Sequence, residues 1–159
     1  MTPEPHPFQP VLVHAFSVAI TLSKAYFLKP SGTGQTRAAV YAASGTVTGR
    51  INGKVIPMSG GDFPLVRADD VIDFDAKYLF ELDDGTIVML HSRGYRWAEP
   101  EVMARMARNE PVEPHEYYMR VSPKFDVAEG PHDWLNKHVF VGVAEKTPGS
   151  NVIHYFQVM

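Results

Sequence analysis

The chain has 159 residues, 45% hydrophobic and 21% charged, with a formal net charge of −3 and no cysteine. These figures describe an ordinary globular chain and predict one domain over residues 1–159, with room for a sizeable core. They exclude disulfides, thiolate chemistry and cysteine-bound metal centres, and they leave no electrostatic footprint for nucleic acid.

Residues 1–10, MTPEPHPFQP, carry four prolines and predict an extended arm, without the basic start or apolar stretch of a signal peptide. No run is long enough for a transmembrane helix, so a cytoplasmic location is expected. Residues 11–22 form the first strand candidate, and Ser31-Gly32-Thr33-Gly34 reads as a loop. In residues 37–56, Gly45, Gly49 and Gly53 share one side with Val47, Ile51 and Val55. Such glycines let a strand bend sharply or let another backbone come close. Met58 to Asp62 reads as a turn, followed by a short segment at Phe63 to Val66.

Residues 71–95 predict a long hairpin around Asp83-Asp84-Gly85. Ile72, Phe74, Ala76, Tyr78, Phe80 and Leu82 alternate with Asp73, Asp75, Lys77 and Glu81, as in a strand with one buried side. Pro100 and Glu101 then open a short helix over residues 100–108, with an apolar stripe of Val102, Met103, Met106 and Ala107 and a stop at Asn109. Residues 117–125 form another strand, in which Pro123 argues for an edge or a bulge. Trp134-Leu135-Asn136 leads into HVFVGVAEK, and Pro148 to Asn151 turns the chain back into VIHYFQVM.

About eight or nine strands, one short helix and short connections predict an all-β fold, an antiparallel up-and-down barrel. A two-sheet sandwich fits the same pattern. A membrane barrel is disfavoured, because Asp73, Asp75, Lys77 and Glu81 would face lipid.

The hairpin has two registers, and they place opposite side chains inside. A two-residue turn at Asp84-Gly85 sets His91 opposite Tyr78, Met89 opposite Phe80 and Ala76 opposite Arg93, all inward. A three-residue loop with a glycine bulge pairs Leu82 with Thr86, and puts Asp75 beside Arg93 and Lys77 beside His91 on the other side. The first is favoured, because it brings Ile87 and Met89 beside Phe80 and Leu82. The expected interior then holds Phe74, Tyr78, Phe80, Met89, His91 and Arg93, a wall suited to a flat, partly anionic organic molecule. Tyr118 and Arg120 share a face, which is either solvent-exposed or sets a proton donor beside an anion site. Trp134, just before a buried strand, is expected either to cap one barrel end or to pack in the core, and core packing is favoured over ligand contact.

The seven histidines show no ligand spacing, so no metal is expected. Residues 49–55 fail as a phosphate loop, and there is neither a Gly-x-Ser-x-Gly elbow nor a dinucleotide fingerprint.

Several motifs in fixed order resemble one family over nearly the whole chain. They are Ser59-Gly60-Gly61-Asp62, Asp75-Ala76-x-Tyr78 before Asp83-Asp84-Gly85, Arg93-Gly94, and Tyr117-Tyr118-Met119-Arg120 with Pro123 and Phe125. Trp134-Leu135-Asn136 and Phe140-Val141-Gly142 complete the set. The chain thereby resembles the family catalogued as domain of unknown function 3237. The resemblance implies a small soluble up-and-down barrel and assigns no activity. Its polar positions are Asp62, Asp75, Arg93, Tyr118, Arg120 and Asn136.

The expected function is binding of a small hydrophobic, oxygenated molecule, aromatic or polyketide-like, with cofactor-independent proton transfer: isomerisation, hydration or elimination, or ring closure. The catalytic candidates are Asp75, Arg93, Tyr118 and Arg120. The ligand-binding candidates are Phe74, Tyr78, Phe80, Met89, His91, Trp134 and Asn136. A non-catalytic carrier is the competing reading. No cofactor, nucleic acid or membrane partner is expected, and a homo-oligomer is left open.

Overall fold

The computed structural model describes residues 2–28 and 32–159. Met1 of the expected arm and Ser31 of the expected loop lie outside the described residues. The strands in chain order are β1 (Leu12–Leu22), β2 (Tyr26–Leu28), β3 (Thr36–Gly49), β4 (Gly53–Val55), β5 (Gly61–Asp62), β6 (Leu65–Val66), β7 (Ile72–Leu82) and β8 (Ile87–Ala98). Helix α1 (Pro100–Ala107) follows, then β9 (Tyr117–Val127), β10 (Phe140–Thr147) and β11 (Ser150–Val158).

All pairings are antiparallel and sequence neighbours sit side by side, so the meander closes on itself. Strand β1 pairs with β11 on one side and β3 on the other, at Val18↔Ile153 and Val18↔Val47. From β11 the ring runs through β10, β9, β8 and β7. The short strands β4, β5 and β6 together bridge β7 to β3. The result is a closed eight-position barrel with extra strands. Strand β2 adds to the early part of β3, at Tyr26↔Ala39. Closure satisfies the edge hydrogen bonds that a sandwich would leave exposed. Residues 2–10 carry no strand and are exposed. Among the described residues, no helix is long and apolar enough to cross a membrane.

The hairpin adopts the second register, with the three-residue loop, and so departs from the favoured expectation. Phe80 pairs with Val88, Lys77 with His91 and Asp75 with Arg93. Leu82 and Thr86 close a three-residue loop, with hydrogen bonds from the Leu82 N–H to the Thr86 carbonyl and from the Gly85 N–H to the Leu82 carbonyl. Gly85 sits at φ +85°, a conformation that glycine adopts without steric cost. The inward set of β8 is therefore Val88, Leu90, Ser92, Gly94 and Arg96. This corrects the inward placement of Met89, His91 and Arg93. A larger core decides it: Val88 and Leu90 are fully buried, while Met89 is 45% exposed.

The interior has two halves. At one end Phe16, Phe80, Phe125, Phe140 and Tyr155 form an aromatic plug with ring centroids 5.1–6.4 Å apart. Edge-on and tilted rings of this kind fill space densely and repel little. Trp134 caps that end against Phe140, with the Arg50 guanidinium 3.8 Å above its ring. The other half is not filled. Helix α1 follows β8 there, burying Val102 and Met106, and ends at Ala107, two residues before Asn109 turns the chain at φ +55°.

The segment before β5 is pressed between β3 and β7. A Cβ on Gly60 would lie 1.9 Å from the Lys77 carbonyl oxygen, and one on Gly61 would lie 2.2 Å from that of Val40. Gly60→Ala should therefore destabilise the fold by about 1–3 kcal/mol, as overpacking against backbone does. Ala at Gly32, which has open space around it, should stay within about 0.5 kcal/mol. Urea unfolding of the two variants provides the measurement.

Candidate functional site

The unfilled half of the barrel is a cavity of about 430 Å³. Its apolar walls include Ile20, Val40, Phe74, Met119 and Ile153. Into it face Asp62, Tyr78, Ser92, Arg96, Lys146, Asn151 and Tyr155. That volume and mixture suit a small organic molecule held by a few polar groups.

Strand parity delivers most of these side chains. Tyr78 lies two residues from Phe80 on β7, and Ser92 and Arg96 follow Val88 and Leu90 on β8. Tyr155 and Asn151 follow from buried Ile153 on β11, and Lys146 from buried Ala144 on β10. Asp62 arrives differently. Between β4 and β5 the chain turns away from β7, which leaves β7 amides in need of acceptors. The Leu79 N–H donates to Ser59 Oγ at 2.9 Å, and the Asp75 N–H donates to Asp62 Oδ1 at 2.8 Å. Both side chains of this turn replace missing strand hydrogen bonds, and the Asp62 carboxyl is held at the wall of the cavity.

Burial pushes the Asp62 carboxyl up from 3.8 to about 6, and the charge of nearby Asp75 adds to the rise. The Asp75 amide and the Arg96 charge act against it. Burial lowers Arg96, which the charges of Asp62 and Tyr117 oppose. A guanidinium remains charged in proteins nonetheless. Lys146 is lowered by burial and by the charge of Arg96. Tyr78 and Tyr155 interact through their hydroxyls, and burial raises both far above the usual phenol range. They are neutral donors at physiological pH.

Three buried polar atoms at this cavity have no hydrogen-bond partner: Ser92 Oγ, Arg96 Nε and Asn151 Oδ1. Most buried polar groups in folded proteins are satisfied, so three around one cavity make it the candidate site. Among the described residues, no group of three or more His, Asp or Glu side chains is arranged to hold a metal ion.

The expected site residues are dispersed. Phe74 and Tyr78 line the cavity. Phe80 points inward but belongs to the aromatic plug. Asp75 and Arg93 face outward, with Arg93 3.4 Å from Asp73 and 3.7 Å from Asp75, and with His91 3.0 Å from Asp75. Arg93 thus pairs with carboxylates outside the barrel, not with a ligand inside it. Met89 is exposed on the same surface. Tyr118 stacks on Trp97 with centroids 5.8 Å apart, and the Arg120 guanidinium lies 5.2 Å from the Tyr118 ring, again on the outside. Trp134 and Asn136 sit at the plugged end, where Asn136 bonds both the N–H and the carbonyl of Val127. Arg96, Lys146, Asn151, Ser92 and Tyr155 were not singled out from the sequence. The bulged register supplies the signal for Arg96 and Ser92, and the alternation Ile153, Tyr155, Gln157 supplies it for Tyr155.

Asp62 leaves a mark on stability. A carboxyl at about 6 when folded and 3.8 when unfolded binds its proton more tightly in the folded state. It therefore destabilises the fold above pH 6, by up to about 3 kcal/mol, and the deficit fades as pH falls from 6 towards 3.8. Asp62→Asn keeps the acceptor for the Asp75 amide, so it should raise stability at pH 8 by about 1–3 kcal/mol. At pH 4 the gain should be small. Thermal unfolding at the two pH values measures it. Arg93→Met should stay folded and change stability by less than about 1 kcal/mol, as exposed ion pairs do.

The chain matches the family described as protein of unknown function DUF3237 over residues 10–158. It is 34% identical over 146 residues to the UPF0311 protein blr7842 of Bradyrhizobium diazoefficiens, covering 92% of this chain and 95% of that one. Its fold is similar to the crystal structure of the conserved protein of unknown function RPA1785 from Rhodopseudomonas palustris, with a TM-score of 0.90 and 31% identity over 95% of this chain and 99% of the other. The barrel is also that of an enzyme from Penicillium herquei, at 24% identity and a TM-score of 0.71 with full coverage of both, a likeness of fold alone. Motifs, fold and relatives agree, and the chain belongs to the DUF3237 family.

Proposed function

We propose that this chain is a barrel enzyme that takes a small hydrophobic, oxygenated molecule into its open half and moves a proton on it. The observation that carries this reading is the Asp62 carboxyl, placed with Arg96 and Tyr78 at one apolar cavity and poised near 6. A general base works best with a pKa near the working pH. Asp62 takes a proton from an acidic carbon or hydroxyl of the substrate. Arg96 carries the negative charge that develops on the neighbouring oxygen, in a setting of low dielectric where that help is large. Tyr78 or Tyr155 donates to the same oxygen or returns a proton elsewhere. Removal at one atom and return at another gives isomerisation, elimination or its reverse, or ring closure.

A carrier requires only apolar walls and one or two polar contacts. Keeping a carboxyl, a guanidinium, an amine and two phenols around one cavity costs stability, and this favours proton transfer over storage. The Penicillium herquei enzyme supports the view that such a barrel can host catalysis. A cytoplasmic setting and a single folding domain belong to the same proposal.

The test uses nitrobenzisoxazole, a flat apolar molecule that opens when a base removes its ring proton. The protein should accelerate the opening beyond free carboxylate buffer, with a rate that rises with pH through about 6 as Asp62 ionises. Asp62→Asn should lose about a hundredfold or more of that rate. An unchanged rate in that variant, with the fold intact, would remove Asp62 as the base.

A further inference from the structure

The cavity holds an imbalance of charge that the proton-transfer reading uses only in part, through Arg96. Among the described residues three cations line it, Lys24, Arg96 and Lys146, against a single carboxyl, Asp62. The Lys24 amine lies over the Tyr26 ring, 5.6 Å from its centroid, which leaves Arg96 and Lys146 to the cavity. None of the ion pairs among the described residues includes Arg96 or Lys146. The Arg96 Nε is buried without an acceptor. Burying a guanidinium without a carboxylate in contact is costly, and folds retain that arrangement where an outside anion completes it. The fork of a guanidinium matches the two coplanar oxygens of a carboxylate, while a lysine amine adds a movable point charge.

We propose that the ligand of this cavity is an organic acid, an apolar body ending in a carboxylate that Arg96 and Lys146 grip together. This rests on the reading of the cavity as the functional site, and it names the substrate class that site selects. The body lies against Phe74, Met119 and Ile153. Asn151 Oδ1 and Ser92 Oγ remain as acceptors for a hydroxyl on the ligand. Asp62, the one like-charged group here, spends part of its population protonated near neutral pH because burial raises it to about 6. An entering anion is therefore repelled less than an ordinary aspartate would repel it.

Isothermal titration calorimetry at neutral pH tests this with three probes of one shape: naphthoate, its methyl ester and naphthylmethanol. The wild-type protein should bind naphthoate about ten- to a hundredfold more tightly than either neutral probe, as expected for charge-assisted hydrogen bonds away from bulk water. Arg96→Met should erase the preference, Arg96→Lys should keep part of it, and Lys146→Met should reduce it. Equal binding of acid and ester by the wild type would overturn the inference, as would a preference that survives Arg96→Met. No binding of any probe would overturn both this inference and the cavity reading. Asp62→Asn separates the two claims: it should keep the preference for naphthoate while losing proton transfer. If its preference is lost as well, the assignment of the anion grip to Arg96 and Lys146 fails.

Discussion

Leu82 and Thr86 face each other across Asp83, Asp84 and Gly85, and the interior of the barrel depends on that pairing. Side chains on a strand alternate with period two, so moving β8 by one residue against β7 would exchange its two faces. The observed pairing turns Val88, Leu90, Ser92 and Arg96 inward, and turns Met89, His91 and Arg93 out. Through Gly94↔Val121 and Leu90↔Phe125 the same parity passes to β9, whose inward residues join the plug and the cavity wall. Gly85 in the left-handed region permits this loop, and the register decides which guanidinium enters the barrel.

Division of the interior into a plug and a cavity follows from side-chain size. Phe16, Phe80, Phe125 and Phe140 meet at one end and fill the cross-section. Towards the other end the inward positions become smaller or polar, with Ala76, Ser92, Gly94 and Ala144, and the space stays open. The plug gives that open half a rigid floor, formed by Tyr78 and Tyr155 against the aromatic cluster. Rigidity matters here because polar groups positioned in advance need not reorganise when charge moves.

The outer surface is polar in a different way. Asp75, His91 and Arg93 form one hydrogen-bonded and ion-paired group. On β1, β10 and β11, Ser17 bonds both His14 and His154, and His154 reaches Glu145. These groups are partly exposed and mutually satisfied, so they lack the unmet hydrogen-bonding demand that distinguishes the cavity. The contrast separates a solvated charged face from the candidate site. Asp62 and Arg96 are buried at some cost to the fold, whereas Asp75 and Arg93 sit near water at little cost.

Local pattern alone determined much of this protein. The period of β7, the Asp-Gly turn, the proline that opens α1 and the glycines before β5 were all legible, because each reflects interactions within a few residues. They led to the antiparallel barrel and to Phe74 and Tyr78 inside it. The sequence also named Asp62 as a motif position without showing that its carboxyl replaces a strand acceptor on β7. Only the tertiary structure decided the register, because Val88 and Leu90 are as apolar as Ile87 and Met89, and the choice rests on which pair joins the core shared with distant strands. The cavity lay equally beyond local pattern. Asp62, Arg96, Lys146 and Asn151 are far apart in sequence, on β5, β8, β10 and β11, and they share one space only because the sheet closes.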